Sequence, residues 1–165
     1  MQLKEFENMV LPFKNKMYRL ALRIVGSSHE AEDVVQEVMI KVWKKRDHLE
    51  SVKNMEAWCM TLTRNEAIDA TRSKHRRTVG METQFDMQDQ GASAQRQMES
   101  SETVNRIKGY ISALPENYRT VVHLRDIEEM SYDEIAEVSG FTKDQVKVYL
   151  HRGRKKLREQ ILNLK

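Results

Sequence analysis

Cysteine is nearly absent from this 165-residue sequence: Cys59 stands alone, so no disulfide can form within the chain. Proline occurs twice and glycine six times, too few turn formers for the many short strands of an all-β domain. No apolar run approaches the roughly 20 residues that cross a bilayer, and no charged-then-apolar leader is visible. Neither secretion nor membrane spanning is indicated, and the expected compartment is the cytoplasm. Catalytic signatures are missing too. There is no GxxxxGKS/T loop, GxGxxG turn, GxSxG elbow or HExxH pair, and His29, His48, His75, His123 and His151 are too scattered for a metal cluster. No enzyme activity, cofactor or metal is expected, and Cys59 and the ten methionines read as packing residues.

What remains suits helices. The chain is 39% hydrophobic and 32% charged, and its length gives room for one ordinary domain or two small ones. The expected fold is all-α, with two small helical domains. A formal net charge of +3 says little about partners until the chain is divided. Residues 1–77 carry 15 Lys and Arg against 11 Asp and Glu, net +4. Residues 78–105 carry 1 against 5, net −4, and residues 106–165 carry 12 against 9, net +3. Two basic units thus flank an acidic connector.

Apolar residues from Phe6 to Ile24 recur at helical spacing, with Pro12 placed to kink or divide the helix. Gly26 stops that pattern, and Ser27 with Glu30 reads as a capping box for a helix running to about Arg46. Its apolar stripe is Ala31, Val34, Val35, Val38 and Val42, which leaves Glu32, Asp33, Gln36 and Glu37 on the opposite side. Taken alone, such a polar face is usually just solvated surface. After a polar stretch from Asp47 to Lys53, Asn54 caps a third helix with Ala57, Trp58, Thr61, Leu62, Asn65, Ile68 and Asp69 along one side, ending in Arg72, Lys74, His75, Arg76 and Arg77. Thr78 to Ser101 has no sustained period and reads as a mobile linker, giving domains at 1–77 and 102–165 about a linker at 78–101. Beyond it, Val104, Ile107, Ile111 and Leu114 share a face. Pro115 is placed as the first residue of the next helix, and Asp126 to Met130 forms a connector.

Residues 131–154 meet the requirements of a helix-turn-helix. Ser131 and Glu134 form a capping box, Gly140 supplies a left-handed turn residue, and Thr142 caps the second helix. Val146 and Leu150 face inward with Ile135, while Lys143, Gln145, Lys147, His151, Arg152 and Arg154 point away. Such a helix fits the major groove. Cations early in it reach base edges and later ones reach phosphate, which assigns Lys147 to bases and Arg152, Arg154 and Lys155 to the backbone. The competing reading is a solvated basic helix end favoured by the helix dipole, and the capped turn ahead of it favours DNA.

Two blocks together resemble a known family. Ala31-Glu32-Asp33-Val34-Val35-Gln36-Glu37 with Trp43, and Ala57-Trp58 through Arg64-Asn65-Glu66-Ala67-Ile68-Asp69 to Arg76-Arg77, resemble the second conserved region of bacterial RNA polymerase sigma factors. Leu114-Pro115-Glu116 through Tyr132-Asp133-Glu134-Ile135-Ala136 to Arg152-Gly153-Arg154 resembles the fourth. With only these two regions and a short connector, the chain resembles the extracytoplasmic-function (ECF) group. The resemblance implies that Glu32, Asp33, Gln36 and Glu37 dock on the coiled coil of the largest subunit of core RNA polymerase. It implies that Leu49 to Lys53 with Asn65 captures a flipped base of the minus-10 element while Arg64, Arg72, Arg76 and Arg77 hold backbone. It places Lys143, Lys147, Val148, His151, Arg152, Arg154 and Lys155 on the minus-35 element. Further implied partners are the flap of the second-largest subunit and an anti-sigma factor, with the linker threading the polymerase cleft. Against the family pattern, the loop before Asn54 lacks an aromatic, and Val148-Tyr149 stands where small polar and basic residues are commoner. The alternative of a different class is a stand-alone helix-turn-helix regulator, which needs a dimer surface; the first 77 residues offer no heptad seam for one.

Overall fold

The computed structural model describes residues 2–78 and 102–163, with side chains of the first stretch through residue 75. The chain divides into two compact units, Met1–Asp89 and Gln90–Lys165. Among the described residues all regular structure is helical. The expected linker lies outside the described residues except for Thr78, which ends a helix.

In the first unit Pro12 divides the opening helix as anticipated. Helix α1 (Leu3–Val10) passes through a 3-10 turn at Leu11–Phe13 into α2 (Lys14–Val25), because proline has no N–H to continue the ladder. Gly26, at φ 83°, closes α2 by donating its N–H to the Leu22 carbonyl at 2.8 Å. Ser27 Oγ then accepts the Glu30 N–H at 3.2 Å and starts α3 (Ser28–Lys44). The Glu30 carboxylate, expected to complete a capping box, instead meets Lys74 Nζ at 2.8 Å. A 3-10 turn over Arg46–Ser51 leads to α4 (Met55–Thr78), whose first turn is capped by Asn54 Oδ1 accepting the Ala57 N–H at 3.0 Å.

Helices α2, α3 and α4 pack on one another. The predicted stripe of α3 is buried throughout, and it meets Met17 and Leu20 of α2 and Ala57, Met60 and Ala67 of α4 in one core. Phe6 adds an edge-to-face contact with Trp43, ring centroids 5.0 Å apart. Each buried aliphatic side chain contributes about 1.5–3 kcal/mol, whereas an exposed ion pair such as Lys41 with Glu66 contributes about 0.2–1 kcal/mol. The apolar stripe therefore decides the fold. The buried side of α4 differs from the expected one: it runs through Ala57, Met60, Thr63 and Ala67, while Trp58, Thr61 and Leu62 are half-buried and Asn65 and Asp69 exposed. Thr63 tolerates full burial because its hydroxyl donates to the Cys59 carbonyl at 2.7 Å.

The second unit is built on α5 (Glu102–Ala113), α6 (Glu116–Val122), α7 (Tyr132–Ser139) and α8 (Lys143–Leu162). Helix α8 packs on the other three. Of the expected apolar face of α5 only the far end docks: Ile111 and Leu114 are buried, Ile107 is half-buried, and Val104 is exposed. Pro115 stands one position outside α6 rather than opening it. The connector is also shorter than expected. Helix α6 continues as a π-helical turn over His123–Ile127, leaving Glu128 to Met130 to make the bend. Glu129 takes a left-handed φ of 56° there.

Candidate nucleic-acid interface

The helix-turn-helix is held by two reciprocal caps and a hydroxyl bridge. Ser131 Oγ accepts the Glu134 N–H at 3.1 Å and Glu134 Oε1 accepts the Ser131 N–H at 2.9 Å. Thr142 and Gln145 repeat the arrangement at 3.1 and 2.9 Å. Between them Gly140 sits at φ 79°, while Ser139 Oγ donates to the Ile135 carbonyl and accepts the Phe141 N–H. A non-glycine residue at position 140 would be strained in that region. Phe141 packs edge-on against Tyr149, centroids 5.1 Å apart, and Tyr149 also meets Tyr118. This fixes the start of α8 relative to the turn.

Along α8, Val146, Leu150 and Gly153 are buried as the inner face. Lys143, Lys147, Val148, His151, Arg152, Arg154 and Lys155 all remain exposed. Gln145 faces outward but is engaged by its cap. Lys147, His151, Arg154 and Lys155 line one open cleft of about 500 Å³ with Tyr132 and Arg158. In the first unit Glu32, Asp33, Gln36 and Glu37 are all exposed on α3, opposite its buried valines. Asp33 has His29 Nε2 at 3.8 Å one turn earlier.

Residues 9–77 match the family model for sigma-70 region 2, and residues 105–157 match that for sigma-70 region 4. The sequence is 32% identical over 168 residues to the ECF RNA polymerase sigma factor SigW of Bacillus subtilis strain 168, spanning 96% of this chain and 90% of that protein. The chain belongs to the ECF RNA polymerase sigma factors. It is also 28% identical to the ECF sigma factor SigM of the same organism, covering 88% of each chain. Two solved structures share the fold. The sigma factor RpoE of Bartonella quintana, crystallised with the anti-sigma factor NepR, matches at TM-score 0.74 and 22% identity over 99% of this chain and 100% of that one. CnrH, in complex with the cytosolic domain of CnrY, matches at 0.71 and 19% over 99% and 92%. As a member of this family the protein is a non-catalytic, DNA-binding transcription factor.

The structure separates the residues expected to touch minus-10 DNA. In this sigma factor Lys53, Asn65 and Arg72 are exposed and Arg64 is half-buried. Asn65 and Arg72 stand seven residues apart on α4 and share a face. Leu49 is a correction: at 1% exposure its side chain lies in the core beneath the 3-10 turn, so it supports the loop instead of lining a base pocket. The backbone of α4 is helical through Arg76 and Arg77, whose side chains lie outside the described residues.

Charge pairing across α8 is the part the sequence hid. Arg154 Nε and Nη2 donate to Asp126 at 3.1 and 2.6 Å, and Lys143 Nζ lies 3.3 Å from Asp133. The hydrogen bond from Arg154 to Asp126 holds the guanidinium further in its charged form. Tyr132, which stands in the region 4 block, and Arg158, at the end of the basic run, complete the cleft wall. In the first unit Lys41 is held above its usual pKa chiefly by its bond to Glu66. Burial pushes the Cys59 thiol up to about 12. Among the described residues no group of three His, Cys, Asp or Glu side chains can hold a metal ion, and no helix is long and apolar enough to cross a membrane.

Proposed function

We propose that this sigma factor joins core RNA polymerase and directs initiation by reading the minus-35 and minus-10 elements. The observation that carries the reading is the pairing, in one chain, of an acidic and amide face on α3 that no core contact requires with a doubly capped helix-turn-helix presenting cations. Glu32, Asp33, Gln36 and Glu37 meet the coiled coil of the largest subunit, and the region 4 unit meets the flap of the second-largest. Lys143, Lys147 and Val148, in the first two turns of α8, face base edges, where a lysine suits guanine O6 and N7 and a valine suits a thymine methyl. His151, Arg152 and Lys155 follow on phosphate. Lys53 and Asn65 hold an unpaired minus-10 base, with Arg64, Arg72, Arg76 and Arg77 along its backbone.

The linker, residues 78–101, crosses the polymerase cleft, and the complex forms in the cytoplasm. An anti-sigma factor is a further partner, by likeness to RpoE with NepR. The test is run-off transcription of genomic DNA by purified core polymerase, with and without the protein, and with Asp33→Ala plus Gln36→Ala. Wild type should start transcripts at discrete promoters and the double variant should not. Absence of promoter-specific initiation by wild type would refute the reading. Tight duplex binding without polymerase would support a stand-alone regulator instead.

A further inference from the structure

We propose that Asp126 is a positioning residue for the recognition helix, acting through its two-point ion pair with Arg154, and that Arg154 is a strut and not a phosphate contact. This rests on the promoter-reading role given to α8. Both Arg154 donors face both Asp126 oxygens, at 3.1 and 2.6 Å across 28 residues of sequence. A fork-to-carboxylate pair fixes orientation as well as distance.

The segment that presents Asp126 is unusual throughout. It is a π-helical turn, a rare form whose hydrogen bonds span one more residue than those of an α-helix. It is followed by Glu129 at a left-handed φ of 56°. His123 and Glu128 are buried at its two ends, Nε2 and Oε1 3.5 Å apart. Arg125 closes the bend by donating to the Met130 carbonyl at 2.8 Å, with its guanidinium 4.9 Å from the centre of the Tyr132 ring. These features turn the end of α6 so that Asp126 faces α8. One residue before Arg154, Gly153 brings the α8 backbone hard against Val122 and Tyr118. Adjacent steric and ionic contacts thus fix both the approach and the tilt of the helix. Lys147 lies seven residues away, about 10 Å along the axis, so a 10° tilt about the strut would move it by about 2 Å. That displacement exceeds the placement tolerance of a base contact.

The proposal makes a prediction opposite in sign to plain electrostatics. Removing an acidic group beside a DNA-binding helix should strengthen binding if charge alone matters; here it should weaken it. The experiment uses full-length protein in holoenzyme with core polymerase, on the promoter that wild type transcribes most strongly from genomic DNA. Promoter affinity is measured across a salt series, with core binding and thermal melting recorded for each variant. Asp126→Asn and Arg154→Gln should each weaken promoter binding about three- to tenfold, and together no further than either alone. The exchange Asp126→Arg with Arg154→Asp should recover most of the loss. Core binding and melting should stay near wild type.

The inference is overturned if Asp126→Asn tightens binding. It is equally overturned if Arg154→Gln alone weakens binding and lowers the salt slope by about one phosphate's worth. Failure of wild type to initiate would remove the functional reading and this inference with it, whereas the variant results bear on the strut alone.

Discussion

Replacing Gly153 with valine should loosen the second unit and leave the first intact. A Cβ at position 153 would lie 2.7 Å from Val122 Cγ2 and 3.3 Å from Tyr118 Cβ. Neither neighbour can give way easily: Val122 is fully buried and, being β-branched in a helix, holds one rotamer, while Tyr118 Cβ is fixed by its own backbone. For alanine, a helix-propensity gain of about 0.8–1 kcal/mol offsets part of an overpacking cost of about 1–3 kcal/mol, a net loss of about 1 kcal/mol. Valine adds two more methyl groups to the same seam and recovers less propensity, so its loss should be about 2–4 kcal/mol. At about 4–8 °C per kcal/mol for a unit of this size, the midpoint should fall by about 8–32 °C. Trp43 and Trp58 both lie in the first unit, so their fluorescence follows that unit while circular dichroism follows both. Hydrogen exchange should show faster loss of protection in α6 and α8 and unchanged rates in α2 to α4. A valine variant whose α6 and α8 amides exchange like wild type would refute the steric argument.

Five further outcomes are expected. Thr142→Ala should cost about 1 kcal/mol by removing the α8 cap, and Gln145→Ala should lower stability without changing promoter preference, because its side chain returns a bond to Thr142; melting and promoter selection check both. Asp33→Ala with Gln36→Ala should weaken core polymerase binding at least about tenfold at unchanged melting temperature, since both residues are exposed. Cys59 should resist iodoacetamide at pH 8 until denaturant is added, because burial raises its pKa to about 12. The unfolded thiol ionises from its ordinary value of 9.0 while the folded one stays protonated. Raising the pH through that interval therefore favours unfolding by up to about 1.4 kcal/mol per pH unit, a slope that Cys59→Ala should lack in urea melts at pH 9 to 11.

Much of the second unit is legible in the sequence because its determinants are local. Ser131 with Glu134, Gly140, and Thr142 with Gln145 act within three or four residues of one another, and each does what its spacing suggests. Pro12 and Asn54 are local in the same sense. What the sequence did not show was set by contacts remote in sequence. Glu30 leaves its expected capping partner for Lys74 on another helix. Arg154 looks like one more free cation until Asp126 is folded against it. Leu49 looks like part of a polar loop, yet the turn rotates it into the core. On α4 the polar and apolar residues are mixed around the helix, so the periodicity named a stripe adjacent to the one that packing selected. Gly153 reads as a weak point in a helix, and only the proximity of α6 shows why the position is small.

Helix α4 outruns the bundle that holds it. Its last buried side chain is Ala67, and from Thr71 onward the side chains described are exposed, with Lys74 reaching back to Glu30. The 11 residues beyond Ala67, through Thr78, extend about 16 Å along the axis. With no buried side chain among those described there, local unwinding of the tip needs far less free energy than opening the core. A partner that binds only the wound tip is linked to folding by mass action, so its occupancy would raise the melting temperature of the first unit.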